Sequence, residues 1–260
     1  VLNARLFDRN AEFTEYLYSR LQRRGYLRRD AQRLVNNDRN VFSALMLHHG
    51  LADGMVSGVT RSHDVVLRDV RLVLNHRKDE RTVGVSVVVN KQRTLFIADT
   101  NITAMPTSTD LADIAETTAH LARTFGFEPR VAMLSYSTFG NPPVGERMET
   151  VREAVRILDE RDVDFEYEGD IAADVALDPL HQLTYPFSRL TETANVLVMP
   201  NIHSASISTK MLDSAGGATV LGPFLTGLEK PVQICKLGST ASEILQMAML
   251  AAFAPGHEGH

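Results

Sequence analysis

Apolar and polar positions along this chain fall into two textures. Over the first third, apolar residues recur at helical spacing. Phe13, Tyr16, Leu17 and Leu21 share one face of a helix that Asp8 is placed to cap and Gly25 to stop. Two further helices are predicted from Asp30 to Asn36 and from Asp38 to His49, closed by Gly50. Met55, Val56 and Val59 read as a short buried strand, and a helix follows from Ser62 to Leu74. Val83 to Val89 and Thr94 to Ala98 are β-rich runs. Asn90-Lys91-Gln92-Arg93 joins them as a hairpin.

From Pro106 the pattern becomes strand, polar loop, helix, repeated. Thr107 or Ser108 caps a long amphipathic helix that runs to Phe125, and Gly126 ends it. Val131 to Leu134 is a buried strand, followed by the polar loop from Ser135 to Pro143 and a helix from Glu146 to Asp159. A strand from Asp164 to Tyr167 and a helix from Asp170 to Leu177 come next. The apolar run Val196 to Met199 then meets Pro200 and a polar corner where a helix starts. A second apolar run, Val220 to Leu225, ends in a Gly-Pro corner, and Cys235 to Glu243 lies where a chemical group would be offered to a ligand. This repetition predicts an α/β fold with a parallel sheet and helices on both faces. Right-handed crossovers put the polar loops at one end, where open sheets bind ligands. The tail from Ala254 to His260 reads as disordered.

Composition narrows the function classes. A net charge of −5 argues against a general nucleic-acid surface. Cys235 is the single cysteine, which excludes a disulfide framework and a thiolate metal cage and suits a reducing cytoplasm. No apolar run reaches membrane-spanning length, and none of these residues reads as a signal peptide. The chain opens on Val1 and reads as part of a longer protein.

Four features carry candidate chemistry. Ser135, Ser137 and Thr138 stand between a strand and a helix, where hydroxyls and free backbone N–H groups could hold phosphate; ordinary turn chemistry explains them equally well. The basic segment holding Arg5, Arg9, Arg20, Arg23, Arg24, Arg28 and Arg29 is read as a solvated helix face in preference to an anion site. His48-His49 point about 100° apart on a helix and cannot chelate one ion together; with His63 elsewhere, no metal site is expected. Cys235 reads as a small core residue. No dinucleotide fingerprint or phosphate loop occurs.

Several blocks in order resemble the phosphate acetyl/butyryltransferase family. They are Ala52-Asp53-Gly54-Met55-Val56-Ser57-Gly58, Val131 to Thr138, Val151-Arg152-Glu153-Ala154-Val155, Ala194 to Asn201, and Gly222-Pro223 with Gly227 to Val232. The runs Asn37-Asp38-Arg39-Asn40, Gly54 to Arg61, Phe165 to Gly169 and His203 to Met211 are similar to the branch found as the C-terminal region of bacterial malic enzymes. The resemblance implies a two-domain parallel-sheet architecture of the phosphotransacetylase type, like that of isocitrate and isopropylmalate dehydrogenases. Residues 1–105 with 233–260 would form a first, N-terminally truncated α/β domain, and 106–232 a second, with a cleft between them.

Family enzymes move acetyl between phosphate and coenzyme A with cationic side chains and a Ser-Arg pair followed by an Asp. Carried over, a phosphate-contacting arginine is kept as Arg68. A helix arginine falls on Leu21, the Ser-Arg pair on Lys236-Leu237, the Asp on Glu243, and an Asn near a helix start on Ser206. Losing such donors predicts no meaningful transacetylase turnover and no catalytic residue here. The expected role is regulatory: acetyl-CoA or a related acyl-CoA bound as an effector through Arg68, Ser135, Ser137, Thr138, Asn201, Ser206 and Lys236. The parent would oxidatively decarboxylate malate to pyruvate with NAD or NADP and a divalent metal bound outside this region. The expected partners are those catalytic domains and a second copy of the chain. An active phosphate acyltransferase is the alternative.

Overall fold

The computed structural model describes residues 2–78, 80–142 and 146–253. The tail from Ala254 to His260 and Pro143 of the polar loop lie outside the described residues. Two compact units are present: 2–78 with 228–253, and 80–227.

In the first unit, α1 (Asn10–Leu21) buries Phe13, Leu17 and Leu21, and a short 3-10 turn carries it to Gly25, whose φ of 86° ends it. Its N-cap is Arg9, without a side-chain cap, so Asp8 stands one residue too early for the role its sequence suggests. Next come α2 (Arg28–Asn37) and α3 (Arg39–His48). Asp38 caps α3 by accepting the N–H groups of Asn40 and Val41. The strand β1 (Met55–Val59) and helix α4 (His63–Arg71) follow. After the chain returns, β8 (Val232–Leu237) pairs in parallel with β1, and α10 (Ala241–Phe253) packs against both strands.

The second unit is built on a six-stranded sheet ordered β5-β4-β6-β3-β2-β7. Its strands are β2 (Val83–Val89), β3 (Thr94–Ala98), β4 (Arg130–Leu134), β5 (Glu166–Ile171), β6 (Val196–Val198) and β7 (Thr219–Thr226). The sheet is mixed: β3, β6, β4 and β5 run parallel, and β2 is antiparallel to both β3 and β7. Because β3 bonds to β6 and β2 to β7, the 83–98 hairpin belongs to this unit. The boundaries therefore fall near 79 and 227, not at 105 and 232.

The helices are α5 (Ser108–Thr124), α6 (Glu146–Arg161), α7 (Ala173–Leu177), α8 (Pro179–Gln182) and α9 (Ile202–Ala215). Thr107 and Asp110 close a reciprocal capping box at the start of α5. Strand alternation separates two faces. Leu95, Ile97, Ala132, Leu134 and Leu197 pack with Val175 and Ala176 of α7 and Ala205 of α9. Phe96 points the other way, 5.9 Å edge-on from Phe125 at the end of α5. Helices thus cover both faces.

Two elements differ from the expectation. The strand at 164–167 is β5, displaced to Glu166–Ile171, and the helix after it begins at Ala173. The polar Glu168 and Asp170 disguise the strand, yet both are buried because donors surround their carboxylates. The Gly222-Pro223 pair does not end β7 but lies within it, where the β2–β7 register slips between Val85 and Val87. An edge strand with a bulge tolerates a proline that has no N–H to give.

Candidate ligand edge in each unit

In the second unit, topology selects the edge. The chain leaves β3 and β4 through α5 and α6 on one face, and leaves β6, which lies between them, through α9 on the other. A sheet with that reversal has a crevice at the carboxyl ends of those strands. Four loops meet this edge: 99–104, 135–142, 171–172 and 199–201. Asp99 turns the chain at the end of β3 with a φ of 47° and accepts the N–H groups of Ile102 at 3.1 Å and Thr103 at 2.8 Å. Burial pushes its carboxyl above the usual range, against those donors.

The 135–142 turn has a plan that its sequence hides. Ser137 is fully buried and its hydroxyl donates to Asp170. Thr138 is buried as well, and its hydroxyl accepts the N–H of Ala172 at 3.0 Å. The backbone donors are used internally: Ser137 N–H to Ser135 Oγ, Thr138 N–H to the Asn141 carbonyl, Phe139 N–H to the Asp170 carbonyl and Gly140 N–H to the Asp170 carboxylate. Ser137 and Thr138 are thus framework. Ser135 is half-buried and Tyr136 is 63% exposed, so these two present the outer surface of the turn. Arg152 of α6 donates Nε to Asp170 at 3.1 Å. Burial raises the Asp170 carboxyl, but the Ser137 hydroxyl and Arg152 outweigh it and hold the group below the usual range.

Asn201 is the N-cap of α9, accepting the Ser204 N–H at 3.0 Å. Ser206 is half-buried in the next turn. The N-terminus of α9 therefore opens on the same edge as Ser135.

In the first unit, β1 and β8 end side by side, with the Gly238 N–H donating to the Val59 carbonyl at 3.1 Å. A polar network grows from the end of β1. Ser57 donates to Asn40 at 2.7 Å, and Asn40 to buried Asp69 at 3.0 Å. Arg61 donates to Asp38 at 2.8 Å, and Arg68, its side chain 70% exposed, to Asp69 at 3.2 Å. Arg39 donates to Thr60. Arg68 thus sits with two more arginines, which single-residue matching did not select. Their signal was their place in the runs Asn37 to Asn40 and Gly54 to Arg61.

The replaced family positions are equally specific. Leu21 is fully buried and cannot present a polar group, while the adjacent Arg20 is spent on the Leu72 carbonyl at 2.9 Å and on Asn75. Lys236 and Leu237 are exposed at the end of β8. Glu243 accepts the Thr240 N–H at 2.7 Å and its hydroxyl at 2.9 Å, as the third residue of a capping box on α10. Those bonds from Thr240 keep its carboxyl below the usual range. Cys235 is buried, and burial pushes its thiol up, away from thiolate chemistry.

A cavity of about 480 Å³ lies away from these loops, at the amino-terminal edge of β4 and β5. Its Arg123 is paired with Asp164 and Glu128, and its Arg161 with Asp113 and Glu116. The reversal of crossovers places the crevice at the opposite edge. Among the described residues no group of three His, Cys, Asp or Glu side chains could hold a metal ion. No described helix is long and apolar enough to cross a membrane.

The Asp38–Arg61 pair yields a pH prediction. Burial raises the Asp38 carboxyl, but Arg61 and the N–H groups of Val41 and Asn40 prevail and hold it low. A depressed carboxylate stabilises the fold above its unfolded pKa, about 3.9, and that contribution is lost as pH falls through the folded value. Asn caps a helix about as well as Asp, so Asp38→Asn removes mainly the charge. Urea unfolding should show wild type more stable at pH 6, with the gap closing below about pH 4. A gap that persists in acid would refute this assignment.

With this geometry in place, the comparisons with known proteins are decisive at the level of class. The sequence model of the phosphate acetyl/butaryl transferase family matches residues 1–252, and the chain belongs to that family. It is 33% identical to the phosphate acetyltransferase of Bacillus subtilis (strain 168), covering 89% of this chain and 72% of that one. It superposes on a phosphotransacetylase from Streptococcus pyogenes with a TM-score of 0.90 and 31% identity, over 97% of this chain and 77% of the other. Within the family, the stronger similarity is to a malic enzyme. The chain is 56% identical to the NADP-dependent malic enzyme of Rhizobium meliloti (strain 1021) over 98% of its own length. It spans about a third of that relative, 34%.

Proposed function

We propose that this chain is the regulatory and self-associating region of a malic enzyme, that it binds acetyl-CoA or a related acyl-CoA as an allosteric effector, and that it does not turn over as a transacetylase. The observation that carries this reading is a contrast. The phosphotransacetylase fold is kept over nearly the whole chain. Yet Lys236-Leu237 stand at the end of β8, and Glu243 is committed to capping α10. The parent would decarboxylate malate oxidatively to pyruvate, a reading supported by the likeness to a protein named NADP-dependent malic enzyme, and would do so in the cytoplasm. The nicotinamide and the divalent metal belong to its other domains.

On this reading the first unit, taken by itself, offers Arg68, Arg61 and Lys236 as positive charge for an acyl-CoA's phosphates. The ligand edge of the second unit offers Ser135, Asn201 and Ser206, while Ser137 and Thr138 shape the turn beneath them. Binding then shifts the populations of parent conformations by its differential affinity for them. A working acyltransferase is the second reading. The exposed Arg68 and the likeness to named phosphate acetyltransferases favour it.

Calorimetric titration with acetyl-CoA tests the first reading. We expect measurable heat and a thermal shift for wild type. Arg68→Ala should bind about 10- to 100-fold more weakly, the range for losing a hydrogen bond to a charged group. No heat and no shift in wild type would sink the regulatory proposal.

A further inference from the structure

Beneath the 135–142 turn lies a carboxylate that no part of the function above uses. Asp170 is 2% exposed, at the carboxyl end of β5. Its carboxylate accepts the Ser137 hydroxyl, the Gly140 N–H at 3.3 Å and Arg152 Nε at 3.1 Å. Its carbonyl accepts the Phe139 N–H at 2.8 Å. The turn needs such an anchor. Phe139 has a φ of 49° and Gly140 one of 84°, and a Cβ on Gly140 would stand 3.0 Å from the Arg152 guanidinium. A phenylalanine in the left-handed region is held there only by its surroundings.

Three elements converge on this one group: the turn after β4, the end of β5 and the helix α6. The charges facing it are few. Arg152 also reaches Glu149 at 3.7 Å, and no other ion pair to Asp170 is present among the described residues. The Asp170–Arg152 pair is therefore locally close to neutral.

We infer that Asp170 is the positioning residue of the ligand edge: through Ser137, Gly140 and Phe139 it sets the turn that presents Ser135 and Tyr136 to an acyl-CoA. This deepens the function proposed above and rests on it. The role is geometric, and that gives it a sign. Asp170→Asn removes a negative charge and leaves Arg152 with only Glu149, at 3.7 Å, so charge alone would tighten the binding of a polyanion. Loss of the turn's geometry would weaken it. The two explanations predict opposite outcomes from one variant.

The test is acetyl-CoA titration of wild type, Asp170→Asn, Ser137→Ala and the double variant, each with a thermal melt. We expect each single variant to bind about tenfold more weakly, the effect of one hydrogen bond of roughly 1.4 kcal/mol. The double variant should bind no more weakly than the poorer single one, because the two act through one contact. Amide resonances of Ser135 and Tyr136 should shift on ligand addition in wild type and respond less in Asp170→Asn. A purely structural role would lower the melting temperature and leave affinity and those resonances of the folded protein unchanged. If Asp170→Asn does not fold, Ser137→Ala, which keeps the ion pair, carries the test. Wild-type binding matched or exceeded by the folded variants overturns the inference alone. No binding by wild type overturns the function proposed above, and this inference with it.

Discussion

Supplied with acetyl phosphate and coenzyme A, this protein should form acetyl-CoA at least about 10⁴-fold more slowly than a phosphate acetyltransferase. Each donor aimed at developing charge is worth about 10²- to 10³-fold, and two are replaced where the family resemblance places its Ser-Arg pair. Together they remove roughly 5–8 kcal/mol of transition-state stabilisation. The structure sharpens the reason. Lys236 projects a flexible point charge where the resemblance places the serine hydroxyl, and no guanidinium fork follows it. Leu237, 64% exposed beside it, gives no hydrogen bond at all. Glu243 has turned from a reacting partner to the start of α10, where Thr240 occupies it. Leu21 cannot compensate, because it lies wholly within the core of the first unit. The measurement is thiol consumption or acetyl-CoA absorbance with substrate at millimolar concentration. Turnover within tenfold of a phosphate acetyltransferase, lost in Lys236→Ala, would establish the acyltransferase reading instead.

What the sequence makes legible is local. Gly25 ends α1, Asp38 caps α3, and Thr107 with Asp110 caps α5, because each signal lies within four residues of its effect. The 83–98 hairpin and the strand–loop–helix repeat follow from periodicity of the same short range. The affiliation of that hairpin is not local. It depends on β3 finding Asn195 to Val198, about a hundred residues away, and on β2 finding Thr219 to Thr226, farther still. Hence the domain boundary drawn from sequence was displaced.

The site divides in the same way. Sequence locates the loops at the strand ends, and Ser135 and Asn201 lie in them, while Arg68 sits within α4, the helix that follows β1. It does not tell which hydroxyls face inward. Ser135, Ser137 and Thr138 look alike as three hydroxyl residues within four positions. Only the position of Asp170, thirty-odd residues on, decides that Ser137 is buried while Tyr136 is exposed. Asp170 itself was masked because a polar residue before Ile171 reads as the start of a helix. Arg152 stands out in the sequence only as one residue of the run Val151 to Val155 on α6. Buried polar partners are the part of a fold that periodicity cannot reveal, since their burial is bought by donors distant in sequence.

Gly58→Ala should unfold the first unit more readily than any other glycine substitution of similar size there. Gly58 has a φ of 114°, and a Cβ would stand 2.3 Å from the Cys235 carbonyl oxygen and 2.9 Å from its nitrogen. Both atoms are backbone of β8, so no side chain can swing aside. The β1–β8 register already slips between Gly58 and Val59, and Val59 has a φ of 64°, uncommon for a β-branched residue. The expected cost is about 1–2 kcal/mol for the backbone conformation plus about 1–3 kcal/mol for the overpacking, roughly 2–5 kcal/mol in all. That is a large share of the stability of an ordinary domain. Gly25→Ala is the matched control. Its φ of 86° carries a similar backbone penalty, but nothing lies within 4 Å of the added Cβ. Urea unfolding should therefore separate the two variants by the packing cost alone. Because the strain forces apart the strands that carry Ser57 and Lys236, Gly58→Ala should also weaken acetyl-CoA binding, whereas Gly25→Ala should not. Equal destabilisation by the two alanines would mean that β1 and β8 do not approach as closely at Gly58 as this fold requires.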